Sequence, residues 1–206
     1  MSCAPIPPPI PITKPKTLAV EGDDDKRFFN KFINSLNLLD IQIIKMMGKN
    51  PLSKKVKGIT KISGWSQVIS FGLVIDADSN YASALASIQH SLRVACLAVP
   101  QGPLLSAGRE RKVTFFVLPG VDRNGALEDL CLSSIRANPA MACVDAYFQC
   151  LEQSDIRCRK VSKAKVHAFL ASRREPDLKL GEATEAGYWP ISSQVFDDIR
   201  RFLLML

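Results

Sequence analysis

Four short stretches of the chain carry nearly continuous apolar residues, rich in the β-branched and aromatic side chains that favour strands. They are Lys16–Gly22, Ile41–Met46, Val68–Ala77 and Lys112–Leu118. Strands with one solvent face alternate apolar and polar residues, whereas continuous apolar strands are typical of sheets covered by helices on both faces. The pattern therefore predicts an α/β protein with a mostly parallel four-stranded sheet flanked by helices.

Between and after these stretches, apolar residues recur every three to four positions, which is the spacing of one helix face. The first of these helices opens with three aspartates, where the helix dipole favours acidic side chains. The later helices follow one another without a strand between them, so they predict a helical C-terminal portion. The predicted helices begin near Asp23, Tyr81 and Ala126, at Pro139 behind an Asn138 cap, and behind caps at Ser162 and Ser193.

Two segments differ from the rest of the chain. Pro5–Pro15 holds most of a proline cluster, and proline fits neither a helix interior nor a central strand. We therefore expect residues 1–15 to form a flexible proline-rich arm ahead of a single domain that spans residues 16–206. The second segment, Gly48–Gly64, has five lysines among few apolar residues, which predicts a loop or an insertion.

Composition adds a moderate basic bias. The 206 residues include 27 Lys and Arg against 20 Asp and Glu, a net charge of +7 that is compatible with an anionic partner. The apolar stretches are shorter than the roughly 20 residues that span a membrane, and the N-terminus lacks the features of a secretory signal, so we expect a soluble cytoplasmic protein with no membrane partner. Six cysteines without a C-x-x-C pair, beside two histidines, favour reduced and buried thiols over a zinc site.

Acidic residues follow three of the four predicted strands. Glu21 closes the first, Asp76 and Asp78 close the third, and Glu128 lies beyond the fourth. In open α/β sheets, ligands collect beyond the carboxyl ends of the strands, and crowded carboxylates repel one another unless a hard cation such as Mg²⁺ is bound. The pattern thus predicts a Mg²⁺ or Mn²⁺ site. If the third strand continues far enough, its period of two places both aspartates on one side.

These residues resemble a known family. AVEGDDDKRFF, followed about fifty residues later by GLVIDADSN, is similar to the TOPRIM domain of topoisomerases, bacterial primases and the overcoming-lysogenization-defect nucleases. With GALEDL, SKAKVHAFLAS and GYWP, the chain looks closest to the small stand-alone TOPRIM-like families of unknown function related to those nucleases. The resemblance covers Thr17 to about Ala171 and implies a TOPRIM-like, Rossmann-like fold.

The resemblance also implies roles for single residues. Glu21 matches the family's glutamate, a metal ligand or proton-transfer residue, and a late basic residue that approaches the phosphate corresponds to Lys163 or Lys165. The remaining implied metal ligands are Asp25, Asp76, Asp78 and Glu128. The chain lacks the tyrosine domain of the topoisomerases, the zinc-binding domain of the primases and a P-loop.

Two functions from different classes remain open. The first is a Mg²⁺-dependent nuclease that hydrolyses phosphodiester bonds of DNA or RNA, with Lys54, Lys55 and Lys57 attracting phosphates. The second is a non-catalytic TOPRIM-like binding or regulatory module that docks to a partner such as an ATPase. Each residue also has a structural alternative: Asp23 and Asp24 as helix caps, Glu128 as a helix start, and the lysines as solvated surface.

Overall fold

The fold is described from a computed structural model that covers residues 10–46 and 48–206. Its strands are β1 (Lys16–Val20), β2 (Ile41–Lys45), β3 (Ser70–Asp76), β4 (Ser106–Ala107) and β5 (Lys112–Leu118). Its helices are α1 (Asp23–Ser35), α2 (Leu52–Ile59), α3 (Tyr81–Val94), α4 (Leu127–Ser134), α5 (Pro139–Gln153), α6 (Val161–Ala171), α7 (Leu180–Glu185) and α8 (Asp197–Leu204). Among the described residues, no helix is long and apolar enough to cross a membrane.

The strands form one five-stranded sheet in the order β2-β1-β3-β5-β4. All neighbours pair in parallel except β4, which pairs antiparallel with β5 at one edge. The four predicted strands are confirmed with ends shifted by a few residues, and so is the mostly parallel α/β class. The fifth strand is a correction, because two residues are too short to show any periodicity.

Two apolar cores lie on the two faces of the sheet. Helices α1 and α4 to α8 share a core with Leu18, Val74 and Phe116, whereas α2 and α3 share the other core with Leu73 and Phe115. Successive strand residues such as Leu73 and Val74 thus face opposite cores, as the strand period requires. The helical C-terminal portion therefore covers one face of the sheet, together with α1.

Gly48–Gly64 is predicted from its sequence to be a loop or an insertion. This prediction of a loop is wrong, because the segment contains helix α2. Leu52, Val56 and Ile59 lie at intervals of four and three, and Val56 and Ile59 are buried against α3 and the sheet. The lysines between them occupy the solvent face. Lysine is a good helix former, so its abundance gives no reason to predict a loop.

The described end of the predicted N-terminal arm is anchored to the domain. Ile12 is buried, its backbone N–H donates to the Ser63 carbonyl at 2.8 Å, and the Ile69 N–H donates to the Pro15 carbonyl at 2.8 Å. Pro11–Pro15 are therefore not a flexible arm. Residues 1–9 of the predicted arm lie outside the described residues, and for them the prediction stands as made.

Most predicted helix starts are confirmed. Asn138 and Ser193 cap the segments that follow them, with side-chain oxygens accepting from Ala140 and Val195 N–H groups. Ser162 is not a cap, because α6 begins at Val161 and the Ser162 hydroxyl instead donates to the Asp129 carboxylate.

The cysteine prediction is only partly right. Five cysteines are free thiols, but Cys131 alone among them is buried, and Cys96, Cys143, Cys150 and Cys158 are exposed. Cys3 lies outside the described residues.

Candidate functional site

The carboxyl ends of β1 and β3 bring the first acidic residues together. These strands are parallel neighbours with Ala19 opposite Leu73, so Glu21 and Asp76 both lie at the carboxyl edge of the sheet. Helix α1 begins at this edge, and the Asp25 carboxylate in its first turn accepts the Gly22 N–H at 2.7 Å. The start of α4 adds half-buried Glu128. Four of the predicted metal ligands, which we call the acidic group, therefore converge: Glu21, Asp25, Asp76 and Glu128.

Asp76 is the most strongly perturbed member of this group. Burial, followed by the charges of Asp25, Glu21 and Glu128, raises its pKa to about 8. One hydrogen bond opposes this rise, because the Asp76 carboxylate accepts the Leu127 N–H at 3.1 Å. Near neutral pH and without a cation, the Asp76 carboxyl group is therefore largely protonated.

The pKa values of Asp25 and Glu21 are raised as well. For Asp25, burial is the largest cause, the Gly22 N–H opposes it, and the charge of Glu128 adds to it. For Glu21, the residue is exposed overall but its carboxyl group lies among protein atoms, so burial again leads, followed by Asp25. The Lys55 ammonium on α2 partly offsets the rise in the pKa of Glu21. Glu21 thus lies between the acidic group and a cation.

Asp78 occupies a different position from that expected of a strand residue. β3 ends at Asp76, and Asp78 has a left-handed backbone with φ 49°. Its N–H donates to the Gly125 carbonyl at 2.8 Å, and its own carbonyl accepts the Gly125 N–H at 2.7 Å. The period-of-two argument therefore does not apply to Asp78. Its charge still contributes to the raised pKa of Glu21.

A cavity of about 430 Å³ opens onto this group. Asp25, Asp76 and Glu128 line one side, and Lys179 and Leu180 at the start of α7 line another. The sequence pattern does not predict α7, because its six residues are too few for a clear period. A better signal lies in GYWP, because Trp189 is buried and its indole N–H donates to the Leu180 carbonyl at 3.1 Å.

Asp23 and Asp24 have structural roles in the first turn of α1. Asp23 pairs with Lys45 of β2 at 2.6 Å. The Asp24 carboxylate accepts the Gly181 N–H at 2.9 Å, which fixes α7 to α1. Neither residue caps α1, as the structural alternative expected, because Gly22 is the cap residue and its N–H is bound by Asp25. Both residues instead contact partners that a sequence pattern does not reveal.

The structure separates the two late lysines. Lys163 lines two cavities together with Glu128. Lys165 instead pairs with Asp145 at 2.6 Å, with its ammonium group 5.7 Å from the Phe148 ring centre. Lys165 is therefore placed away from the carboxylates, and Lys163 beside them. On α2, Lys54 and Lys57 are exposed, and Lys55 is the lysine that acts on Glu21.

The donor chemistry of the acidic group suits a hard cation, because Mg²⁺ and Mn²⁺ prefer carboxylate oxygens and retain several waters. Within residues 10–46 and 48–206, however, no three His, Cys, Asp or Glu side chains are arranged to hold a metal ion. An ion bound among the carboxylates would relieve their repulsion.

A comparison with protein-family models matches residues 15–206 to the family described as protein of unknown function (DUF3226). The chain belongs to this family. Comparisons with curated proteins and with solved structures gave no match. The DUF3226 match includes all of the carboxylates and lysines of the site, and it begins one residue before β1.

Proposed function

We propose that this DUF3226 protein is a TOPRIM-like, Mg²⁺- or Mn²⁺-dependent nuclease that hydrolyses phosphodiester bonds of DNA or RNA. The observation that carries the proposal is the convergence of Glu21, Asp25, Asp76 and Glu128 at the carboxyl edge of the sheet, with Lys55 and Lys163 beside them. Carboxylates that attract a cation, flanked by cations that attract phosphates, are what a metal-dependent phosphodiesterase needs.

The electrostatic repulsion among these carboxylates supports the proposal that they bind a cation. Burial and mutual repulsion raise the pKa of Asp76 to about 8, so the folded chain holds a proton where an ion would remove the repulsion. A structural role for the group would normally provide an ion pair or several N–H donors. Asp76 accepts one N–H, and no described Lys, Arg or His pairs with it.

The residues divide into ligands, a proton acceptor and phosphate contacts. Asp76, Asp78, Asp25 and Glu128 would hold the ion or ions, which supply a polarised phosphoryl oxygen and a more acidic water when bound. Glu21 is suited to accept a proton, because its raised pKa lies closer to neutrality than that of a free carboxyl. Lys163 would contact a phosphate oxygen, and Lys55 would hold a neighbouring phosphate.

A second candidate function is a non-catalytic binding or regulatory module that works with a partner such as an ATPase. It is favoured by the absence, within the described residues, of three acidic or other ligands already arranged around an ion. In this reading the fold and the basic helices are retained for binding, and the carboxylates hold a metal weakly.

A cleavage assay distinguishes the two functions. Purified wild type is incubated with labelled single-stranded and duplex DNA and RNA, in Mg²⁺, in Mn²⁺ and in EDTA. If the protein is a nuclease, wild type should cleave these substrates only in the presence of Mg²⁺ or Mn²⁺, and Asp76→Asn should abolish the cleavage. The matched control is Asp145→Asn, which makes the same chemical change at an exposed α5 residue paired with Lys165. Absence of cleavage with either ion, in wild type that is folded, would overturn the nuclease and favour the binding module.

A further inference from the structure

The positive charge of the chain is concentrated in two segments. Residues 49–61 contain five lysines and no acidic residue, and residues 155–179 contain eight Lys and Arg against three Asp and Glu. Each segment has a net charge of +5, so the remainder of the chain has a net charge of −3. The overall value of +7 therefore reflects two basic regions on a mildly acidic protein.

The fold places these two segments on opposite faces of the sheet. The first contains α2, which packs with α3 in one core. The second contains α6, whose Val166, Phe169 and Leu170 pack in the other core. The acidic group lies at the carboxyl edge between them. On one face, the charge of Lys55 of α2 lowers the pKa of Glu21. On the other face, Lys163 of α6 lines a cavity together with Glu128.

Three cations at the start of α6 form a surface next to the acidic group. Arg159, Lys160 and Lys163, which we call the α6 basic surface, line a depression of about 590 Å³ together with Asp76, Asp78 and Glu128. All three cations are exposed. None of them forms an ion pair with a described residue, whereas Lys165 on the same helix is paired with Asp145. They remain available to an anionic ligand.

We propose that the α6 basic surface and Lys54, Lys55 and Lys57 of α2 together hold a polynucleotide strand across the carboxyl edge of the sheet. Each basic surface would contact phosphates on one side of the carboxylates. The carboxylates lie between the two surfaces, and a strand carries one phosphate per nucleotide, so one strand can contact both surfaces at once. A mononucleotide has no such row of phosphates, so the ligand of this proposal is a polynucleotide. This inference rests on the proposed function, since it takes the same class of ligand to the same site.

The test measures how salt weakens binding of the full chain to a labelled single-stranded oligonucleotide in EDTA, where no cleavage interferes. The slope of log K against log salt is negative, and each lost phosphate contact makes it shallower by about 0.7 for single strands. Replacing Arg159, Lys160 and Lys163 with Gln should make the slope shallower by about 2, and so should replacing Lys54, Lys55 and Lys57. The two changes together should be additive, because the two surfaces lie on opposite faces of the sheet and contact different phosphates of one strand. Binding of a dinucleotide should change far less.

The matched control replaces three exposed arginines, Arg93, Arg109 and Arg136, with Gln. Arg93 lies at the end of α3, Arg109 in the loop before β5, and Arg136 just after α4. All three are therefore near the amino ends of the strands, at the edge opposite the carboxylates. The control should leave the slope unchanged. An unchanged slope in the α6 variant, an equal loss in the control, or equal effects on the dinucleotide would each overturn the inference.

The outcomes separate this inference from the proposed function. If both triple variants show the expected shallower salt dependence but wild type cleaves nothing with Mg²⁺ or Mn²⁺, the two-sided surface is supported and the nuclease proposal is overturned. If wild type cleaves in an Asp76-dependent manner while the α6 variant keeps its slope, the nuclease is supported and the surface is overturned.

Discussion

The Asp76 carboxylate at the end of β3 accepts the backbone N–H of Leu127, the first residue of α4, at 3.1 Å. This bond joins the two segments that bring Asp76 and Glu128 to the same cavity. One N–H donor does not offset burial and three neighbouring carboxylates, so the pKa of Asp76 rises to about 8. Near neutral pH and without a cation, the repulsion is therefore relieved by protonation of Asp76.

The stability of the metal-free protein should fall as pH rises. Because the pKa of Asp76 is about 8 in the folded state and about 3.9 in an unfolded chain, the native state binds more protons between these values. The contribution of Asp76 protonation to the free energy of unfolding is present in full below about pH 4 and is lost as pH approaches 8. The raised pKa values of Asp25 and Glu21 act in the same direction. Calorimetry of wild type in EDTA should show a melting temperature that declines across this range.

Replacing Asp76 with Asn tests the source of this decline. The variant cannot titrate at this position, so its melting temperature should depend less on pH and should exceed that of wild type at pH 8 by a few degrees. Asp145→Asn should follow the wild-type curve, since exposed ion pairs contribute at most about 1 kcal/mol. A variant at position 76 that melts at or below the wild-type temperature at pH 8 would contradict the assignment.

Gly64 should be intolerant of a side chain. Its φ is +90°, and an added Cβ would lie 2.0 Å from the Ile12 carbonyl oxygen. Gly64→Ala should therefore expel the Ile12 segment or distort the backbone, at a cost of about 2 kcal/mol or more. Gly187→Ala is the control, because φ is +81° there with open space around the new Cβ, so only backbone strain of about 1 kcal/mol applies. Urea unfolding of both variants measures the difference, and equal losses would show that Ile12 is not held firmly.

Truncation gives the same segment a second test. Removing residues up to Ile10 should leave the melting temperature nearly unchanged if the residues before the docked segment contribute little. Removing residues through Thr13 should lower it, because buried Ile12 and its bond to Ser63 are lost. Equal melting temperatures of the two truncated proteins would contradict the observed docking.

The centre of the sheet should not accept a charge. Val74 is buried in the middle of β3 between β1 and β5, so Val74→Asp would bury an unpaired carboxylate and should prevent folding. Ile69→Asp is the control, because Ile69 precedes the same strand and is 57% exposed. Circular dichroism and thermal unfolding check both variants. Cooperative unfolding of the Val74 variant near the wild-type temperature would contradict the position of β3.

The sequence predicts the parts of this fold whose pattern is long and local. β5 is predicted with its observed ends, because five of its seven residues are apolar and Arg111 and Pro119 flank it. Helix α2 is missed, because its apolar stripe has three residues among lysines. The anchoring of Ile12 is missed because it depends on a contact with Ser63, fifty-one positions away, which no local pattern contains.

The candidate site divides in the same way. Glu21 and Asp76 could be placed together from sequence, since they close two apolar strands that turn out to be parallel neighbours. Lys163 and Lys165 could not be distinguished, because they lie two positions apart on one helix and only the packing of α5 directs Lys165 to Asp145. The contribution of α7 to the cavity involves long-range contacts such as the bond between Asp24 and Gly181, which joins residues 157 positions apart.

The most direct test of the central claim is calorimetric titration of Mn²⁺ into the full chain near neutral pH, repeated in two buffers of different ionisation enthalpy. The account predicts saturable binding by wild type and by Asp145→Asn. It also predicts release of protons on binding, because the pKa of Asp76 is about 8 without metal. Asp76→Asn should bind at least about tenfold more weakly, a loss of about 1.4 kcal/mol or more, and should release fewer protons. Wild type that shows no saturable binding, or an Asp76→Asn variant that binds Mn²⁺ as tightly as wild type, would contradict a cation site at this edge of the sheet.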